Sequence, residues 1–152
     1  MKTLIIGLDG LSRNIFKRGW TPNINELLNK SFLYEFNEDL ISRGWSEVFT
    51  GSHAKNTGAM YEYPIMNKTY TFSEKINLRN IKKKIKIWDL YINKKKNIGV
   101  MNVPTTYPAP NVKGFFVSGG GGGKSELKLD LNSCSSKKLL DELNNMDYMI
   151  EE

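Results

Sequence analysis

The stretch Met1–Gly10, MKTLIIGLDG, decides the fold class, because Leu4, Ile5, Ile6 and Leu8 form an apolar run that stops abruptly at Asp9-Gly10. A run apolar on both faces fits a strand in the middle of a parallel sheet, and ligands of such sheets collect at the carboxyl ends of the strands. Asp9 then stands at such an end. The bland alternative is that Asp9 turns the chain with Gly10 or caps the next helix, a common use of Asp-Gly.

Outward from this stretch, Ser12 is placed to cap a short helix through Arg18 that Gly19 ends. Thr21 and Pro22 supply the cap and first position of a second helix, with Ile24, Leu27 and Leu28 at helical spacing and an end near Ser31. Phe32–Phe36 alternates weakly, as a second strand would. Segment 40–51, LISRGWSEVFTG, reads as a strand end, a glycine-assisted turn and a short helix closed by Gly51. A serine at a strand-to-helix junction faces the free amides of the helix N-terminus, which stabilise an anion or an attacking alkoxide. Ser42 fits that position, with a plain N-cap as its ordinary reading.

Residues 53–78 are polar and aromatic without a clean period, the pattern of a long surface excursion. Asn80–Asn93 carries Ile81, Ile85, Trp88, Leu90, Tyr91 and Ile92 as an amphipathic helix. Asn97–Val103 is a buried-type strand that Pro104 stops. Tyr107–Pro110 is an extended turn, Gly114–Ser118 another short apolar strand, and Ser136–Met149 a closing helix with Leu139, Leu140, Leu143 and Met146 on one side. Strands alternating with helices predict an α/β fold with a largely parallel sheet flanked by helices.

A length of 152 residues suits one compact domain spanning the chain. No apolar run approaches the roughly 20 residues of a membrane span, and the apolar core of MKTLIIGLDG is too short for a secretory signal. A cytoplasmic location and no membrane association are therefore expected. The single cysteine, Cys134, lies in a serine-rich turn and agrees with a reducing compartment. The net charge of +6 comes largely from lysines in 82–86 and 94–96, which flank an apolar helical pattern and read as a solvated face. Without interleaved recognition features, DNA or RNA binding is disfavoured, and a weak anion-attracting field remains.

Five glycines, Gly119–Gly123, precede Lys124-Ser125 and raise a phosphate-cradling loop as an alternative. That pattern requires a glycine where this chain has Ser118, and it must open directly into a helix, whereas Glu126–Leu131 alternates like a strand. An irregular, exposed loop is expected instead.

Four blocks in order, IIGLDGL, TPNINELL, WSEVFTG and IWDLYINKKKNIGVMNVPTTYPAPNVKGFFVSG, resemble the N-terminal part of the type I phosphodiesterase/nucleotide pyrophosphatase family, within the alkaline phosphatase superfamily. The resemblance runs from Lys2 to about Gly119, and its last block is the most specific. It implies an alkaline-phosphatase-like fold, incomplete at its C-terminal side, and metal-dependent hydrolysis of phosphate esters. Two divalent ions, usually zinc, would neutralise the reacting phosphoryl group and lower the pKa of the attacking hydroxyl. Asp9 matches the family's first metal-binding aspartate. Ser42 is the candidate nucleophile and a further metal ligand.

Three departures stand beside that match. Counted from Trp45 and Thr50-Gly51, the family's nucleophile falls on Ile41, one residue before Ser42. Thr57 occupies the place of a family histidine before Gly58, and His53 does not match it. The family's remaining aspartate and histidine ligands lie in a later part of a longer chain, whereas this chain holds one histidine and one cysteine. A catalytic zinc normally needs three protein ligands. The expected protein is therefore the N-terminal portion of such a hydrolase, truncated or encoded as a split gene and inactive alone, with a nucleotide-like or other phosphate-ester substrate and room for a second polypeptide to complete the domain. A non-catalytic binding or regulatory module on the same fold is the alternative. In either case the apolar faces of NIGVMNV and GFFVS are expected to be incompletely covered.

Overall fold

The computed structural model describes residues 3–34, 41–61, 63, 65, 68–72, 76–82, 85–119, 129–146 and 148. The chain forms two compact units, Met1–Asn37 and Glu38–Glu152.

In the first unit, α1 (Arg13–Lys17) starts at Ser12, whose Oγ accepts from the Asn14 amide, and ends before Gly19 in left-handed backbone. Helix α2 (Pro22–Leu28) has proline in its first turn as expected, yet Thr21 makes no side-chain capping bond and the helix stops short of Ser31. The Asn25 side chain donates to the Phe16 carbonyl at 2.9 Å and ties the two helices together. The buried strand expected at Leu4–Leu8 does not form. Leu4, Ile5 and Ile6 are exposed, and nothing pairs with their backbone as a strand among the described residues. Apolar sequence favours a strand only where a neighbouring strand takes up its amides and carbonyls. Asp9 accordingly sits in a turn, its Oδ1 accepting from the Gly10 amide at 3.0 Å. Phe32–Tyr34 is likewise exposed and not a strand; Glu35 and Phe36 lie outside the described residues.

The second unit is mixed α/β. Its elements are α3 (Ile41–Thr50), α4 (Ala54–Thr57), α5 (Ile87–Ile92), β1 (Ile98–Val103), β2 (Gly114–Ser118) and α6 (Lys137–Asn145). Strands β1 and β2 pair in parallel, from Ile98 opposite Gly114 to Val103 opposite Ser118, with an irregularity between Met101 and Val103. Successive strand residues face opposite sides, and the two cores reflect this. Phe116 packs with Trp88 of α5 and Phe49 of α3, together with Ala59, Ile76 and Ile81, whereas Val117 packs with Leu129, Cys134, Leu140 and Leu143. The two-stranded sheet is thus flanked by helices on both faces. Coverage is partial, since Met101 and Phe115 stay about half exposed.

Both strands, the stop at Pro104 and the closure of α3 by left-handed Gly51 agree with the sequence. The helix expected over Asn80–Asn93 does not. Among the described residues of this stretch only Ile87–Ile92 is helical, and the Asn80 and Asn77 side chains accept from the Asn77 and Arg79 amides and hold a turn before it. Buried Ile81 serves the core from that turn. Excursion 53–78 is packed at both ends, with Ala54, Thr57, Ala59, Ile76 and Asn77 buried, and exposed at Tyr61, Tyr63, Ile65, Tyr70 and Phe72. Helix α6 forms as expected but is shorter, with Ser136 as its cap rather than its first turn and Met146 beyond its last turn and exposed. Leu129–Leu131 is not a strand, and Glu126–Lys128 lies outside the described residues.

Candidate functional site

The carboxyl ends of β1 and β2 meet in a compact junction built from Asn102–Tyr107, Ser118-Gly119 and the turn at 130–133. Asn102 adopts left-handed backbone at the strand irregularity, and its Oδ1 accepts from the Tyr148 hydroxyl at 2.6 Å. Pro104 then ends the ladder. The Thr106 hydroxyl donates to the Val103 carbonyl at 2.6 Å and accepts from the Gly119 amide at 3.1 Å, which pins the start of the glycine run against the end of β1. Gly119 is buried, and a Cβ there would collide with the Val103 carbonyl. The exposed loop expected at Gly119–Gly123 is therefore wrong for its first residue; Gly120–Gly123 and Lys124-Ser125 lie outside the described residues.

Tyr107 is clasped from the other side. Its hydroxyl donates to Asp130 Oδ2 at 2.8 Å and accepts from Asn132 Nδ2 at 3.3 Å, while Asp130 Oδ1 takes the Asn132 amide and the Ser133 hydroxyl. Burial pushes the Asp130 carboxyl up, but the Tyr107 hydroxyl and the Asn132 and Ser133 donors outweigh it and hold the pKa below the usual carboxylate value. Burial, and next the hydrogen bond to Asp130, raise the Tyr107 pKa. Cys134 is buried, and burial followed by the Asp130 charge pushes its thiol up. That favours an inert structural thiol.

Tyr107→Phe is expected to destabilise the second unit by about 1.5–3 kcal/mol, because Asp130 loses a charge-assisted hydrogen bond. The depressed Asp130 pKa adds stability that is present above about pH 4 and lost as pH falls through the folded value. The raised Tyr107 pKa adds stability that is present below about pH 10 and lost as pH rises through its folded value. Melting temperature against pH should fall on both sides of a plateau, and Tyr107→Phe should remove the alkaline contribution and shrink the acid one.

Thr105 differs from its neighbours. It is buried, its backbone is left-handed at φ 64°, and its Oγ1 is a buried side-chain oxygen with no hydrogen-bond partner among the described residues. Left-handed backbone costs a residue with a Cβ about 1–2 kcal/mol, and an unpaired buried hydroxyl about 1–3 kcal/mol. Sequence reasoning passed over Thr105, since nothing local in Pro-Thr-Thr-Tyr marks a left-handed position.

Asp9 belongs to the first unit and Ser42 to the second. Ser42 lies inside α3 as its second residue, not at the strand-to-helix junction expected for it, and its side chain lies outside the described residues. Glu47 Oε1 accepts from the Ala54 amide at 2.6 Å, and His53 Nδ1 accepts from the Lys55 amide at the start of α4. Among the described residues, no group of three or more His, Cys, Asp or Glu side chains could hold a metal ion. These residues do not fit a two-zinc centre by themselves. Among the described residues no helix is long and apolar enough to cross a membrane. No family model matches the chain, and no curated protein or solved structure matches it significantly.

Proposed function

We propose that the chain is the N-terminal portion of a phosphodiesterase or nucleotide-pyrophosphatase-type hydrolase of alkaline-phosphatase-like fold, acting on phosphate esters. The observation that supports this reading is the unit over 87–118. Helix α5 leads into β1, the Asn-Val-Pro-Thr-Thr-Tyr-Pro turn and a parallel β2, in the order that the resemblance implies. Parallel strands present ligands at their carboxyl ends, where Asn102–Tyr107 lies. In this reading Asp9 is a metal ligand, Ser42 is the nucleophile as well as a metal ligand, and the remaining aspartates and histidines around divalent ions, usually zinc, come from outside these 152 residues. When bound, such ions supply electrostatic stabilisation of the phosphoryl group.

The non-catalytic binding module is a second reading. It is supported by the engagement of Asp9 in the turn with Gly10.

Under the first reading the isolated chain is silent. Purified alone, with zinc or manganese and a chromogenic aryl phosphodiester, it should show no metal-dependent turnover, and Asp9→Asn should be indistinguishable from it. Turnover by the chain alone that disappears in Asp9→Asn would mean a complete site within these 152 residues and would overturn the split-site proposal.

A further inference from the structure

The junction at the end of β1 spends its hydroxyls fully, with one exception. Thr106 Oγ1 both donates and accepts, Ser118 Oγ donates to the Ser133 carbonyl at 3.1 Å, and Ser133 Oγ donates to Asp130 Oδ1 at 3.0 Å. Thr105 Oγ1, in a residue only 2% exposed, has no partner among the described residues. Valine has the same shape without the hydroxyl, so packing does not explain threonine at this position. Buried polar groups in folded proteins almost always have partners, and an exception calls for an explanation: stored strain, an enclosed water, a bound ion or a catalytic role.

We infer that Thr105 is a ligand contact, its hydroxyl donating from the carboxyl end of β1 to an oxygen of a bound oxyanion of the phosphate class. A hydroxyl without a partner needs an acceptor, and the nearby Val103 carbonyl already takes Thr106 Oγ1 and the Gly119 amide. The net charge of +6 favours an anion over a neutral or cationic ligand. This choice of ligand rests on the phosphate-ester reading above. The contact itself is independent of hydrolysis, so its test uses no turnover.

Inorganic phosphate is titrated into the full chain, with binding followed by phosphorus NMR line broadening and by melting temperature. Wild type should bind and be stabilised. Thr105→Val should melt at the same temperature as wild type or higher without phosphate, yet bind phosphate about tenfold more weakly. Thr105→Ser, which keeps the hydroxyl, should retain the phosphate response. The inference is overturned if wild type shows no phosphate response or if Thr105→Val responds as wild type does. It is equally overturned if Thr105→Val melts lower without phosphate, since the hydroxyl would then have a structural partner such as an enclosed water. None of these outcomes bears on whether a completed complex hydrolyses phosphodiesters.

Discussion

Trp88→Ala is expected to cost the second unit about 3–5 kcal/mol, the range for removing a large aromatic side chain from a packed core. Trp88 is 3% exposed and joins the helical layer to the sheet. Its ring lies 5.0 Å from Phe49 on α3 and meets Phe116 on β2 edge-on at 5.2 Å. Such aromatic pairs add stabilisation beyond the area they bury, and alanine removes both at once. Domains of this size are stable by only about 5–15 kcal/mol, so the variant should lose a large part of its margin. Urea unfolding followed by circular dichroism measures it. Val48→Ala, at an exposed position of the same region, should stay within about 0.5 kcal/mol of wild type.

Gly114→Ala is expected to be nearly as damaging, for a backbone reason. Gly114 opens β2 at φ 123°, opposite Ile98 at the start of β1, and an added Cβ would strike the Ile98 carbonyl. Forcing the extra atom in costs about 1–3 kcal/mol through shifted packing, and the positive φ adds strain that a side chain rarely tolerates. The Ile98 amide also donates to the Lys113 carbonyl at 2.8 Å, so displacement at this point disturbs the first link between the strands. Hydrogen exchange at β1 and β2 should accelerate in the variant. Protection equal to wild type would show that the strands tolerate the methyl group.

The parts of the fold legible in the sequence are those with local causes. Pro104 cannot continue a ladder, Gly51 accepts left-handed backbone, and Ser12 offers an oxygen to the start of α1. Leu4–Leu8 was misleading because a strand depends on a partner, and hydrophobicity alone does not supply one. Ile81 and Trp88 share an apolar pattern that suggests one helix, yet asparagine side chains at 77 and 80 hold a turn before α5. The candidate site was less legible still. Tyr107 and Asp130 meet only through the fold, and the unsatisfied hydroxyl of Thr105 is a property of its surroundings. Asp9 and Ser42 stand out in the sequence as a strand end and a strand-to-helix junction, yet Asp9 lies in a turn and Ser42 within α3, because the strand that would precede Asp9 does not form and α3 begins before Ser42.

The proposed phosphodiesterase site, with its remaining ligands supplied from outside these 152 residues, is tested most directly by phosphodiester hydrolysis after reconstitution. These 152 residues would be produced together with the sequence encoded immediately downstream, fused in frame or as a separate polypeptide, and a chromogenic aryl phosphodiester assayed with zinc or manganese. Metal-dependent turnover that requires both parts and is abolished by Asp9→Asn is the predicted result. A stable, metal-loaded complex with no turnover, or with turnover unaffected by Asp9→Asn, would contradict it.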